Sequence, residues 1–296
     1  MPTPTALAEP QRPAASPPAP PTSPTVSIVI PAYNEAASIE QCLLAALDQT
    51  MPASEIIVVD NGSTDATAGI VARVQREHPG APIRLLDQSD RRGITPTRNR
   101  GFDASSGEII GRIDADSLIA RDWVARVAQS MSRSAVAAVS GPTTYYDLPF
   151  RPATRLSDDL ARRALRGIDK RHPFLIGCNM AIRADAWHAI RTHVCDDPDD
   201  LFHEDIDLAI HLRAAGLVVG YAPRLRAHVS ARRLSTSPEA FRSYTERFER
   251  TYADHDIQDS WATRAPQVLL TSVYWWARVL SSLAPARTSA SAIPLT

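Results

Sequence analysis

The sequence predicts an α/β protein built on a doubly wound, mostly parallel sheet. Short apolar runs of strand length recur through residues 25–142 and again at 174–183 and 217–223. Segments with helical spacing separate the early runs, and that alternation implies βαβ units. The runs are continuously apolar rather than alternating, which marks strands covered by helices on both faces.

The elements follow in order. TVSIVIPAYNE (25–35) is an apolar β-branched run stopped by Pro31, so a strand and then a loop are expected. In residues 36–49, Ile39, Leu43, Ala46 and Leu47 fall at helical spacing. EIIVVDNGSTDAT (55–67) reads as a second buried strand. Its turn-rich end offers Ser63, Thr64 or Asp65 to cap a helix running to about Arg76. PIRLLDQ (82–88) is a third strand, followed by a basic loop and a helix over roughly 95–104. GEIIGRIDA supplies the fourth strand, 120–133 a helix and AVAAVSGP (135–142) another strand.

The second half changes character. Residues 152–170 form a charged helical stretch, and FLIGCNMAIR (174–183) reads as a strand leading into a helix with Trp187. An aspartate-rich loop (196–200) precedes the helical segment LFHEDIDLAIHLRAAG, which Gly216 is placed to stop. LVVGYAP (217–223) is a further strand, and no internal repeat is found. Residues 1–24 hold nine of the 24 prolines and no apolar core of a signal peptide. Such a segment buries too little to offset its ordering entropy, so a disordered tail is expected there and over 285–296.

Composition narrows the function classes. The formal net charge is -1, which gives no basic footprint for nucleic acid. Three cysteines without a CxxC spacing indicate neither a disulfide framework nor a zinc ribbon, and a reducing, cytoplasmic setting is expected. Residues 267–283 place Leu269, Val273, Trp276, Leu280 and Leu283 on one helical face, with Tyr274, Trp275 and Arg278 suited to a membrane interface. This stretch reads either as a peripheral contact on the inner face of the membrane or as a helix packed on the domain or in a homodimer.

In doubly wound folds, ligands bind beyond the carboxyl ends of the strands. Here those ends carry PAYNE, DNGSTD and DADS. On a strand, residues i and i+2 share a face roughly 6 to 7 Å apart. Asp114 and Asp116 can therefore converge on one ion, or one can bind it while the other holds a sugar. Oxygen ligands favour a hard cation, Mg2+ or Mn2+, whose shell is completed by phosphate oxygens. GxxxxGK[ST] and GxGxxG are both absent from the first strand–helix junction, so a diphosphate would rest on metal and on basic residues. The loop SDRRGITPTRNRG offers Arg91, Arg92, Arg98 and Arg100.

The order VSIVIPAYNE, VVDNGSTDAT, TRNRGFDASSGEIIGRIDADS and FHEDIDLAIHLRAAG resembles glycosyltransferase family 2, over residues 25–235. The resemblance implies a GT-A fold and inverting transfer from a nucleoside-diphosphate sugar. It divides the domain into a donor-binding half (25–142) and an acceptor and catalytic-base half (143–235), with a helical extension over 236–284. It implies that Pro31, Tyr33 and Glu35 line the nucleoside pocket and that Asp60 binds base or ribose. Asn61 stands where many relatives have a second acid, which leaves the donor base open, with UDP the commonest family choice. Arg98 and Asn99 match the family's RN pair. Asp114 and Asp116 match its DxD motif, with Asp116 as the direct metal ligand. Asp205 falls at the general-base position with Glu204 beside it, and His228 where some relatives place a further metal ligand. Cys178 and Asn179 match the acceptor-side region; Cys178 has no base partner in the sequence and reads as a packing residue.

This set suits the chemistry. A base takes the proton from the acceptor hydroxyl, while cation and arginines neutralise the leaving diphosphate. A nucleotidyltransferase would carry a glycine-rich basic loop after the first strand, which PAYNEAAS lacks. A binding-only scaffold would be expected to lack the acids that are present. The acceptor is left open between a sugar, a lipid-linked and a small-molecule hydroxyl.

Overall fold

A computed structural model describes residues 23–132, 135–147, 160, 174–258 and 261–283. The tails expected at either end and the charged helical stretch at 152–170 lie outside these residues, except for Ser23, Pro24 and Leu160.

The first half alternates β1 (Val26–Ala32), α1 (Ile39–Leu47), β2 (Glu55–Asp60), α2 (Thr67–Glu77), β3 (Ile83–Asp87), α3 (Ile94–Asp103) and β4 (Ile109–Ile113). Then come β5 (Leu118–Ile119), α4 (Trp123–Met131), β6 (Ala138–Ser140) and β7 (Thr143–Tyr145). The second half adds β8 (Asn179–Arg183), α5 (Ala184–Ile190), α6 (Glu204–Ala214), β9 (Val219–Tyr221) and β10 (Ala227–Val229). A short 3-10 turn (Arg232–Ser235), α7 (Pro238–Asp254) and α8 (Trp261–Leu283) follow. Seven strands form the main sheet in the order β3-β2-β1-β4-β8-β6-β9, and β5-β10-β7 form a small one.

Every residue of β1, β2 and β4 is buried. Alternate side chains of β1 go to opposite layers, as a strand's period of two requires. Ile28 and Ile30 pack with Leu43, Val71 and Val127 from α1, α2 and α4. Val29 packs with Phe102, Trp187, Leu208 and Leu212 from α3, α5 and α6. Each such aliphatic side chain stabilises the fold by about 1.5–3 kcal/mol.

Three expectations are corrected, and one strand runs against the rest of the mostly parallel sheet. Pro31 does not stop β1; it pairs in register with Val59. The β1–β4 pairing ends at Val29 and Arg112, so on that side Pro31 sits at a local edge where a missing N–H is tolerated. β8 runs antiparallel to both β4 and β6, while the other six strands are mutually parallel. A strand buried on both faces has the same composition in either direction, so its polarity left no trace in the sequence. Residues 174–178 precede β8 instead of forming it. For α2, Asp65 lies one residue before the N-cap Ala66, and its carboxylate accepts the Thr67 N–H at 2.9 Å.

Asn179 joins the layers. It accepts from Trp123 Nε1 at 2.8 Å and donates through Nδ2 to the Pro142 and Leu225 carbonyls, both at 2.9 Å. Trp123 can reach it because Gly111 of β4 has no side chain: a Cβ there would lie 2.5 Å from Trp123 Cη2. Gly111→Ala is expected to lower unfolding stability by about 1–3 kcal/mol, the cost of overpacking a filled core. A urea denaturation midpoint equal to that of the wild type would remove this account.

α8 packs on the domain through Tyr274, which stacks on Phe241 at 3.9 Å and donates to the Thr236 carbonyl at 2.9 Å. The buried face is thus that of Leu270, Val273 and Tyr274, whereas Val268, Leu269, Trp275 and Trp276 are exposed. Among the described residues no helix is long and apolar enough to cross a membrane.

Candidate active site

The site forms along the edge where β1, β2 and β4 end. Asp60 closes β2, and its carboxylate is held by the N–H and hydroxyl of Ser63. Beside it Tyr33 is 45% exposed. Arg92, from the basic loop before α3, lies over the Tyr33 ring at 5.4 Å and donates to its hydroxyl at 3.3 Å. Pro31 is buried one strand over. Asn61 is buried and donates to the Gly93 carbonyl at 2.9 Å, which fixes the end of that loop.

Asp114 and Asp116 lie just past β4, not on it. They occupy a turn closed by the Ser117 N–H on the Asp114 carbonyl at 2.9 Å. The strand-pleat argument for their convergence is therefore replaced by a turn. Their environments differ. Asp114 is part-exposed and accepts from Arg112 at 3.0 Å. Asp116 is buried and faces Arg232 Nε at 3.1 Å. Burial, then the charge of Asp114, pushes the Asp116 carboxyl up to about 7, with Arg232 opposing.

Arg232 was not read from the sequence. Sheet pairing brings it here, because β5 and β10 run antiparallel with Leu118 opposite His228. The residues before β5 and after β10 therefore meet, and these are the DADS turn and the RR pair. Arg232 also pairs with both oxygens of Glu35. Glu35 is thereby tied to the DADS turn instead of standing open toward a nucleoside. His228 lies on β10 beside this turn, opposite Leu118 and Thr144.

Arg112, the second residue missed, connects the halves. It lies within the fully buried β4 and is 3% exposed. One nitrogen meets Asp114 at 3.0 Å and the other meets Glu204 at 2.7 Å. Glu204 also receives Arg98, which is fully buried, at 2.8 Å. Arg98 further donates to the Glu204 carbonyl and to Asn99. This arginine therefore faces the start of α6 and not a diphosphate. The room for Arg112 is made by Gly177, where a Cβ would lie 1.5 Å from Arg112 Nη1.

Asp205, next to Glu204, is part-buried at the first turn of α6. Its two oxygens accept the backbone N–H groups of Gly177 at 2.8 Å and Ile206 at 2.9 Å. Burial, then the charge of Glu204, raises its carboxyl to about 6, with Arg112 opposing. A carboxylate in that range is poised to accept a proton near neutrality. His203, before it, is packed against Tyr244 and Phe248, and burial lowers its pKa to about 3. It stays a neutral packing residue. Cys178 precedes β8 and its carbonyl accepts from Ser117 Oγ at 3.4 Å, while Asn179 is wholly buried and serves the core.

Residues 27–193 match the sequence profile of glycosyl transferase family 2. The chain belongs to glycosyltransferase family 2. The chain is 37% identical over 122 residues to glycosyltransferase AglE of Haloferax volcanii, a match covering 40% of each chain. It is 34% identical over 91 residues to the glycosyltransferase YibD of Escherichia coli, covering 31% of this chain and 26% of YibD. The matched segments thus span well under half of these relatives. The fold resembles that of the mannosyltransferase PcManGT from Pyrobaculum calidifontis, solved in complex with GDP-Man and Mn2+. The TM-score is 0.64 at 22% identity, covering 93% of this chain and 80% of that one. The family 2 glycosyltransferase therefore has the GT-A architecture, and the DADS turn and the start of α6 flank one Arg112 guanidinium within it.

Proposed function

We propose that this glycosyltransferase moves a sugar, with inversion, from a nucleoside-diphosphate donor to an acceptor hydroxyl, with a divalent cation at the DADS turn. The observation that carries this reading is Arg112: a single buried guanidinium touches both Asp114 and Glu204, the neighbour of Asp205. A carboxylate pair suited to a diphosphate-bound cation and a carboxylate suited to proton abstraction thus share one site.

The residues fit a hard cation. Asp116 and Glu35 share the single Arg232, Asp114 beside them pairs with Arg112, and Asp116 remains pushed up to about 7 despite Arg232. The cluster has more negative charge than its arginine relieves, which favours a divalent ion on oxygen ligands. Asp116 and Asp114 would hold Mn2+ or Mg2+, with His228 as a third candidate from β10. When bound, the ion neutralises charge developing on the leaving diphosphate. The Mn2+ and GDP-Man of PcManGT support this reading. A UDP-sugar is the first donor to test and GDP-mannose the second.

The chain's own groups perform the rest. Asp60 and the Tyr33–Arg92 pair bound the pocket for the nucleoside. Asp205 takes the proton of the acceptor hydroxyl as that oxygen attacks the anomeric carbon. Glu204, clamped by Arg98 and Arg112, fixes where α6 starts and so where Asp205 points.

In a donor screen, transfer or donor hydrolysis is expected to fall by about 100-fold in excess EDTA, since such an ion supplies several kcal/mol to the transition state. Mn2+ or Mg2+ should restore it. Undiminished turnover in EDTA would end the metal assignment, and a retained anomeric configuration in the product would end the inverting one.

A further inference from the structure

A second cluster of ligand-type side chains lies behind α6, apart from the DADS turn. Asp207 and His211 are one helical turn apart on α6, so they share a face. Cys195 comes from the loop after α5, and His255 is the residue that ends α7. One ligand atom from each of the four lies within 4.8 Å of all the others. Cys195 Sγ is 3.7 Å from Nε2 of both His211 and His255. Asp207 Oδ1 is 3.2 Å from His211 Nε2 and 2.9 Å from His255 Nε2.

We propose that Cys195, Asp207, His211 and His255 form a structural zinc site. With Zn–S near 2.3 Å and Zn–N and Zn–O near 2.0–2.2 Å, the edges of a tetrahedral shell are about 3.3 to 3.6 Å. The four spacings lie within about 0.5 Å of that range. A thiolate and two imidazoles select zinc over the hard cations suited to the DADS turn. Four protein ligands fill the shell and leave no position for substrate, so the site is structural rather than catalytic. Charge also balances: the thiolate and Asp207 offset the ion, and the Cys195 proton leaves to solvent on binding.

The surroundings support the ligands. Asp207 is 2% exposed, and its other oxygen accepts the Cys195 N–H at 3.3 Å, which orients the carboxylate. Asp254 Oδ2 lies 3.5 Å from Cys195 Sγ and stands next to the shell. The ion would join the loop after α5, helix α6 and the end of α7. The same loop carries Asp196, paired with Arg91, and Asp200, paired with Arg247. The base helix would therefore be fastened two residues from Asp205.

The test uses the full chain, freed of any histidine tag and expressed with added zinc. Elemental analysis after gel filtration is expected to find about one zinc ion per chain. Loading with Co2+ instead should give a thiolate-to-cobalt charge-transfer band and tetrahedral visible bands. In Cys195→Ser the charge-transfer band should vanish and zinc affinity fall by at least about tenfold. Asp116→Asn should leave both unchanged, which separates this ion from the one at the DADS turn. If Cys195→Ser does not fold, His255→Gln and the wild-type cobalt spectrum decide. No zinc and no charge-transfer band in the wild type, or equal zinc content in the variants, overturns the proposal.

Discussion

Asp205→Asn is expected to lower kcat by about 10²- to 10⁴-fold, the range that a positioned general base contributes. The substitution keeps the shape of the side chain. An amide can still accept one of the two backbone N–H bonds that hold Asp205, from Gly177 or from Ile206. The start of α6 should therefore stay in place, because Glu204 and its arginines hold it independently. The amide cannot take a proton, so the acceptor hydroxyl attacks unassisted. Donor affinity should change little, since the groups assigned to the donor sit at the ends of β1, β2 and β4. The measurement is kcat and donor KM, with the donor-induced rise in melting temperature as a check on binding. A variant turning over within about threefold of the wild type would exclude Asp205 as the base.

What could be read in the sequence follows a physical division. Strand–helix alternation survives in sequence because burial on both faces forces continuous apolar runs, as in VSIVI and EIIVV. The strand-end acids were legible for the same reason, since a run that ends in DADS has to leave the sheet. Strand direction was not legible: the apolar NMAI of β8 is equally compatible with either sense. Nor was Arg232, whose meeting with Asp116 depends on the β5–β10 pairing across more than a hundred residues. Arg112 did leave a signal. An arginine inside the apolar run EIIGRIDA must find a carboxylate when its strand is buried, and its partners were the motif acids Asp114 and Glu204. Arg98 shows the opposite failure. It was offered as a contact for the donor diphosphate, yet its guanidinium is fully buried against Glu204.

That burial makes Glu204→Gln strongly destabilising, by about 3–5 kcal/mol, as when one partner of a buried ion pair is removed. Glu204 stands between Arg98 and Arg112, and two arginines with two acids, Glu204 and Asp114, leave the cluster neutral. Without the Glu204 charge, Arg98 keeps only neutral oxygen acceptors, Asn99 and the Glu204 carbonyl, at a place with no access to water. Arg112→Met is milder by the same reasoning. Glu204 would still have Arg98, and Asp114 is exposed enough to be solvated, so about 1–3 kcal/mol is expected. The order of the two variants is therefore the sharper test. At roughly 2–4 °C per kcal/mol for a domain of this size, Glu204→Gln should lower the melting temperature by about 10 °C. The loss should be partly recovered in the double variant Glu204→Gln, Arg112→Met, which removes the one positive charge left in excess. If Glu204→Gln melts like the wild type but has lost turnover, Glu204 and not Asp205 is the proton acceptor, and the clamp reading fails.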